Sequence, residues 1–231
     1  MVMQFLISVS FLSMGKAKNI LIRPINSNIS NDFCKKHHYS GKVVQNSKLH
    51  FGVFYQNNLE GVLQFGSPMD KRKVLPLVKG TLWNEMLELN RMAFSDILPR
   101  NSESRSISIV NKIIKKNYPH IKWILSYSDA TQCGDGTIYR ASGFFLTGIK
   151  KNSTILLLPD GRKVARMTLD GNCVKDSGWW KKNGAVPLEG FQLRYILFLN
   201  DQEIKNLTAD IIPFSKIKEL GAGMYRGKKR V

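Results

Sequence analysis

Acidic side chains are in short supply in this chain of 231 residues: 17 Asp and Glu stand against 35 Lys and Arg, for a formal net charge of +18 at pH 7. A surplus of that size repels itself, and a polyanionic partner that releases counterions on binding is the common reason for it. The charge argues for nucleic acid ahead of a membrane surface, and ahead of a basic protein with no such partner. Cysteine is nearly absent. Cys34, Cys133 and Cys173 are odd in number, far apart and free of any Cys-x-x-Cys spacing. That excludes a disulfide framework and a Cys-rich zinc site, and it suits a reducing, cytoplasmic compartment. Long hydrophobic runs are missing too. The apolar run at residues 1–14 (MVMQFLISVSFLSM) is too short to span a bilayer, and no other stretch comes near one. It has no basic segment before it and no small-residue cleavage site. It reads as an element packed on the domain, or as an extension upstream of a start at Met14, so residues 1–18 are set apart. Also absent are a P-loop, a dinucleotide fingerprint, His-Glu-x-x-His, Gly-x-Ser-x-Gly, the Pro-Cys-x-x-Cys of zinc deaminases and the Asn-Pro-Pro-Tyr type of amino methyltransferase motif. With no repeat and no low-complexity linker, residues 1–231 read as a single domain.

What is present is an alternation of strand and helix signals. Residues 19–25 (NILIRPI) predict a first strand and residues 30–39 a short helix capped by Ser30 or Asn31. Residues 49–55 and 61–65 predict two strands joined through Gln56-Asn57-Asn58. Residues 86–95 (MLELNRMAFS) alternate as a core strand. Ser102 is the expected cap of a helix over 105–116, with Ile107, Val110 and Ile114 on one face and Lys112, Lys115 and Lys116 on the other. Strands follow at 121–127 and 144–149, with a short helix over 136–141 between them. Residues 154–166 read as a hairpin about Pro159-Asp160-Gly161, 193–200 as a late strand, and 226–230 as a mobile basic tail. The order implies an α/β fold with a sheet of mixed direction and a β-rich extension over 150–231.

Several constellations could carry chemistry, and each has a plain structural alternative. In His37-His38-Tyr39-Ser40 a histidine could act as general base or bind a metal, although neighbours on a helix diverge and would not both line one site. The alternative is one surface and one packed histidine. Ser126-Tyr127-Ser128-Asp129 closes a strand with polar groups, where ligands collect in open α/β sheets. Asp129 suits a catalytic or metal-binding carboxylate as well as a turn former. Tyr139, on the short helix, could serve as an acid or orient a substrate, or fill the core. Arg91, Arg100 and Arg105 flank the passage from the strand at 86–95 into the helix that follows. Main-chain N–H groups and the dipole at a helix start can seat a pyrophosphate such as that of coenzyme A; an ordinary helix with solvated arginines accounts for the same residues. Lys71-Arg72-Lys73 and Lys181-Lys182 are basic segments suited to a phosphate backbone.

In their order and spacing, His38-Tyr39-Ser40, Glu88-Leu89-Asn90-Arg91, Pro99-Arg100-Asn101 with its Ser-rich helix start, Ser126-Tyr127-Ser128-Asp129 and Thr137-Ile138-Tyr139-Arg140-Ala141 resemble the Mom family of Mu-like phages, over residues 30–200. The resemblance implies a GCN5-related N-acetyltransferase-like mixed sheet flanked by helices. It implies an enzyme of the host cytoplasm that converts adenine in double-stranded DNA to N6-carbamoylmethyladenine, shielding phage DNA from restriction. It implies acetyl-coenzyme A as donor and Fe(II) as a requirement. It assigns His38, Tyr39, Asp129 and Tyr139 to the chemistry, His38 and Asp129 also to the metal, and Arg91 and Ser104 to the coenzyme, which Arg100 and Arg105 join from their place at the helix start. The chain departs from the acetyltransferase pattern in two ways: its loop Pro99–Arg105 has no glycine, and no glutamate base stands out. Two readings of other classes stay open, an ordinary acetyl-coenzyme A-dependent N-acetyltransferase and a non-enzymatic DNA-binding protein. The sequence leaves the oligomeric state open, a dimer included.

Overall fold

A computed structural model describes residues 15–166, 169 and 179–230; the apolar run at 1–14 and Cys173 lie outside the described residues. Strands β1 (Leu21–Pro24), β2 (Ser47–Tyr55), β3 (Asn58–Gly66), β4 (Met86–Phe94), β5 (Trp123–Ala130) and β6 (Phe145–Lys151) build one sheet together with a late strand, β10 (Phe191–Phe198). The order is β1-β2-β3-β4-β5-β10-β6. Only β4 and β5 run parallel, as the crossover through helix α3 (Ser102–Asn117) between them allows; the other neighbours are antiparallel. The α/β class and the mixed direction are as expected. Gln56 and Asn57, both at positive φ (50° and 67°), form the tight turn between β2 and β3.

Helix α3 covers one face of the sheet. Its Ile107, Val110 and Ile114 are fully buried against Phe51, Phe65, Leu89 and Ile124, so its apolar stripe faces the core. Helix α1 (Ser27–His37) covers part of the other face, where Cys34 packs on Val62 and Ala93. It starts earlier than expected, at an Asn26 cap, and ends at His37, which leaves His38 and Tyr39 outside it. Helix α2 (Lys71–Val74) and the turn after it cover the same face lower down, over Met86, Trp123 and Leu125.

Three further expectations are corrected. Asn101, at φ 70°, caps α3, and Ser102 is its first helical residue. Asn tolerates the left-handed region better than most residues, which is why it can hold that corner. The region 150–231 is no mere appendage, because β10 lies inside the main sheet between β5 and β6. The excursion between β6 and β10 forms a separate sheet of β7 (Ile155–Leu157), β8 (Lys163–Ala165) and β9 (Val186–Pro187), with the turn at Pro159-Asp160-Gly161 as read. The basic end is not a free tail. Met224–Tyr225 (β11) and Lys228–Lys229 (β12) pair as a hairpin, and Asp135 holds it through the Met224 main-chain N–H (3.2 Å) and Arg230 (3.6 Å). Among the described residues no helix is long and apolar enough to cross a membrane.

Candidate active site

The parallel pairing of β4 with β5 covers only Met86↔Trp123, Leu87↔Ile124 and Glu88↔Leu125. Beyond Glu88 the two strands no longer pair with each other, so the sheet opens into a cleft in its middle. A bulge sharpens the effect. Phe65 faces Leu89 and Gln64 faces Arg91, which leaves Asn90 as the extra residue. The bulge reverses the alternation of β4. Leu89 points to α3, whereas Arg91 shares the α1 face with its register partner Gln64, whose amide bonds Ser30 and Asn31 of α1. A regular strand would have sent Arg91 the other way.

On that face the chain leaves α1 at His38, which is in extended conformation, and turns through Gly41 at φ 59°. The turn lays the rings of His38 and Tyr39 side by side, with centroids 4.4 Å apart. Tyr39 then reaches β5: its hydroxyl donates to Asp129 Oδ2 at 3.2 Å. Asp129 Oδ1 accepts from the Thr131 main-chain N–H (3.0 Å), the Thr131 hydroxyl and Gln192 Nε2 (2.9 Å). The carboxylate is thus fixed from three elements, with one oxygen saturated and the other under Tyr39. Gln192 escapes a reading of the sequence because nothing local links it to Asp129; only the insertion of β10 beside β5 does, whereas Thr131 is a local partner two residues on.

His38 Nδ1 accepts the Ser40 main-chain N–H at 3.2 Å and lies 2.8 Å from the Ser40 hydroxyl. This network assigns the ring proton to Nε2, which leaves the Nε2–H as the donor of the neutral ring. Burial first, and the Arg91 guanidinium second, push the imidazole down to about 4, with the Asp129 carboxylate working against them. The ring is therefore neutral at pH 7. An unfolded histidine titrates near 6.5, so between pH 4 and 6.5 the unfolded chain binds more protons and stability rises with pH. Acidification from pH 7 to pH 4 is expected to remove roughly 3 kcal/mol through His38 alone. Urea midpoints across that range, compared between wild type and His38→Gln, measure it; parallel pH curves would contradict it.

The remaining expected residues divide by location. Arg91 stands with His38 and Tyr39: its Nη1 donates to the Asn90 carbonyl at 2.8 Å and its charge acts on both rings. Ser104, Arg100 and Arg105 gather instead at the start of α3. The Ser104 hydroxyl donates back to the Asn101 carbonyl at 3.3 Å, and both arginines are exposed. Tyr139, on helix α4 (Thr137–Ala141), is 8% exposed and packs on Tyr195 and Phe144, with centroids 5.1 and 5.3 Å away. Burial pushes its phenol up to about 12, so it holds its proton at neutral pH. In the sequence Glu88 is only part of a motif, with no role assigned to it. At the last paired register, burial raises its carboxyl to about 7 against the Asn90 hydrogen bond and the Arg91 charge.

The start of α3 fits a coenzyme pyrophosphate. The N–H groups of a first helical turn have no partner within the helix, and the Ser102 hydroxyl is buried without any partner. The donor set for iron does not fit. Among the described residues no three His, Cys, Asp or Glu side chains come together as a metal site. His38 and Asp129 are two donors, already engaged with Ser40, Thr131, Gln192 and Tyr39.

These features define an α/β protein with a built polar cleft at the carboxyl end of its central strands. The chain belongs to the Mom protein family, whose model matches residues 19–216. Methylcarbamoylase Mom of Escherichia phage Mu is 35% identical over 202 residues, 84% of this chain and 82% of that relative. Among solved structures, an acetyltransferase of the GNAT family from Streptococcus pneumoniae has a TM-score of 0.46 at 7% identity, covering 78% of this chain and 98% of its own. An IAA acetyltransferase from Bacillus cereus has a TM-score of 0.42 at 12% identity, covering 78% and 99%. The architecture described above rests on strand order and register, not on these likenesses.

Proposed function

We propose that this chain is a DNA-modifying transferase that converts adenine to N6-carbamoylmethyladenine, protecting phage DNA from host restriction. Membership of the Mom family and the 35% identity to a methylcarbamoylase support the reaction. The observation that carries the assignment of residues is the contact of Tyr39 with Asp129, which joins the end of α1 to β5 at the mouth of the cleft. The net charge of +18 supports duplex DNA as substrate. Exposed lysines and arginines rim the face that carries Asp129. Lys71 and Arg72 lie on α2, and Lys150 lies on β6 in register with Gln192, itself the register partner of Asp129. Lys181 and Lys182, exposed on the excursion, extend the basic surface.

The amino group of adenine is a weak nucleophile that is paired inside the duplex, so the base must be extruded to react. Asp129 Oδ2 takes a proton from N6, with the Tyr39 hydroxyl beside it to orient the base. His38 Nε2–H donates to the oxygen of the group being transferred, and Arg91 favours developing negative charge there. Acetyl-coenzyme A, held by the α3 start with Ser104, Arg100 and Arg105, would bring its acetyl group beside N6. A carbamoylmethyl product needs two co-reactants besides it: a two-electron oxidant, for the N–CH2 bond that replaces a C–H bond of the methyl, and an ammonia-level nitrogen that displaces coenzyme A as its thiol. Nucleosides from a bacterial host expressing the chain test the reading by mass spectrometry. Deoxyadenosine heavier by one carbamoylmethyl group is the expected product. Unmodified deoxyadenosine with soluble protein present would overturn the reading in favour of a different acceptor or of DNA binding alone.

A further inference from the structure

Strand β5 is central, and seven of its eight residues are buried; Tyr127 alone is open, at 44% exposure. An exposed aromatic ring in the middle of a covered sheet marks the place where the covering stops. It lies on the face of Trp123 and Leu125, the face that Asp129 also occupies two residues on. Arg194, its register partner on β10, is pinned by Nε to the Thr147 hydroxyl (3.1 Å) and by Nη2 to the Thr147 carbonyl (2.7 Å). On the other side β4 is leaving. Glu88, at the last paired register, is diagonal to Tyr127 on the same face, and its charge reaches the phenol. The Asn90 amide, whose Oδ1 lies 3.2 Å from the Ser47 hydroxyl, and the Arg91 charge both act on the Glu88 carboxyl. The open floor of the cleft is therefore an aromatic ring with a carboxyl at its edge.

We propose that Tyr127 is the platform on which the extruded base stacks and that Glu88 reads its amino edge. This rests on adenine in DNA being the substrate. A carboxylic acid presents an acceptor and an O–H donor side by side. Adenine offers the complement, an amino N–H beside a ring nitrogen, whereas guanine and thymine present a carbonyl beside a ring N–H. Glu88 is suited to this because its carboxyl, raised to about 7, keeps its proton over much of the neutral range. The charged and titratable groups around it are Arg91 on its own strand, Tyr127 on β5 and, through the sheet, Tyr139. Glutamine offers the same donor and acceptor without titrating.

The test uses the full-length protein and DNA carrying one target adenine, with KM for DNA and the rate of modification measured from pH 6 to 8.5. Glu88→Ala is expected to lose about 10- to 100-fold in kcat/KM, the worth of one bidentate base contact. Glu88→Gln is expected to recover most of that loss and to abolish the rise in KM that wild type shows above pH 7. Tyr127→Ala is expected to raise KM by about tenfold or more, as for a lost stacking contact, and Tyr127→Phe to restore it. A Glu88→Gln protein as inactive as Glu88→Ala would overturn the reading role, since it would make Glu88 a proton acceptor. Binding of DNA with 2-aminopurine at the target scores the platform without any chemistry. Fluorescence that changes equally on binding wild type and Tyr127→Ala would overturn the platform even where adenine is modified. A Tyr127-dependent change with unmodified adenine would keep the platform and remove the proposed reaction.

Discussion

Asp129→Asn is expected to fold normally and to lower carbamoylmethyladenine in DNA by about 100-fold or more, the usual contribution of a positioned acid–base group. The amide oxygen can take the place of Oδ1 and accept from Thr131 and Gln192 as the carboxylate does. The amide nitrogen then meets the Tyr39 oxygen, which can accept. Shape and satisfaction are kept and the negative charge is lost, so the stability change should stay within about 1 kcal/mol. Urea unfolding checks the second figure, and mass spectrometry of deoxyadenosine the first. Modification at wild-type level would remove Asp129 from the chemistry. Asp129→Ala is the poorer experiment. It strands the Gln192 amide and the Thr131 donors in a site that is 9% exposed, and each buried orphan costs about 1–3 kcal/mol. A dead alanine variant would not separate chemistry from collapse of the site.

Gly136→Ala is expected to cost much stability. Gly136 precedes α4 at φ 81°, and a Cβ there would lie 2.5 Å from Cε2 and Cζ of Tyr195. Tyr195 cannot move aside: its ring is fully buried, packs on Tyr139, and its hydroxyl donates to the Asp135 carbonyl. Left-handed strain together with overpacking predicts a cost of about 2–5 kcal/mol. Gly161→Ala is the control, since φ is 84° there with nothing within 4 Å of the added carbon. It should show strain alone, about 1–2 kcal/mol. Denaturation of the two variants measures the difference, which is the packing share. Equal losses would mean that the α4 loop yields. Modification should fall with Gly136→Ala as well, because α4 carries Tyr139.

Local pattern announced most of the elements. The 3.6-residue spacing of Ile107, Val110 and Ile114 identified α3, and the Gln56-Asn57 pair identified the hairpin turn, because each signal is complete within a few residues. The site was legible as residue types and not as an arrangement. Asp129 and Tyr39 were named, but their contact spans 90 positions of sequence. Arg91 was grouped with the coenzyme by the resemblance and by its place in sequence before the helix start; the bulge at Asn90 sets it on the α1 face beside Gln64, and no residue type there signals a bulge. Glu88 entered only as part of a motif on a core strand, with no role of its own. Its raised carboxyl follows from burial at the point where β4 and β5 part, a property of two strands whose register partners, such as Glu88 and Leu125, are 37 positions apart. The docked hairpin at the chain end was hidden for a similar reason: its anchor, Asp135, lies far upstream.

The position of β10 bears on how the protein is made. It pairs with the whole of β5 on one side and with β6 on the other, yet both partners leave the ribosome well before it. At about 5–20 residues per second, the edges of two apolar strands stay unpaired for several seconds of synthesis. Such edges invite pairing with other nascent chains. Any transcript or cleavage that stops short of residue 191 yields a chain with β5 unpaired along one side, β6 cut off from the sheet and the carboxylate without Gln192. Completeness of translation thus gates both solubility and catalytic competence, and slower, cooler expression should raise the yield of active protein.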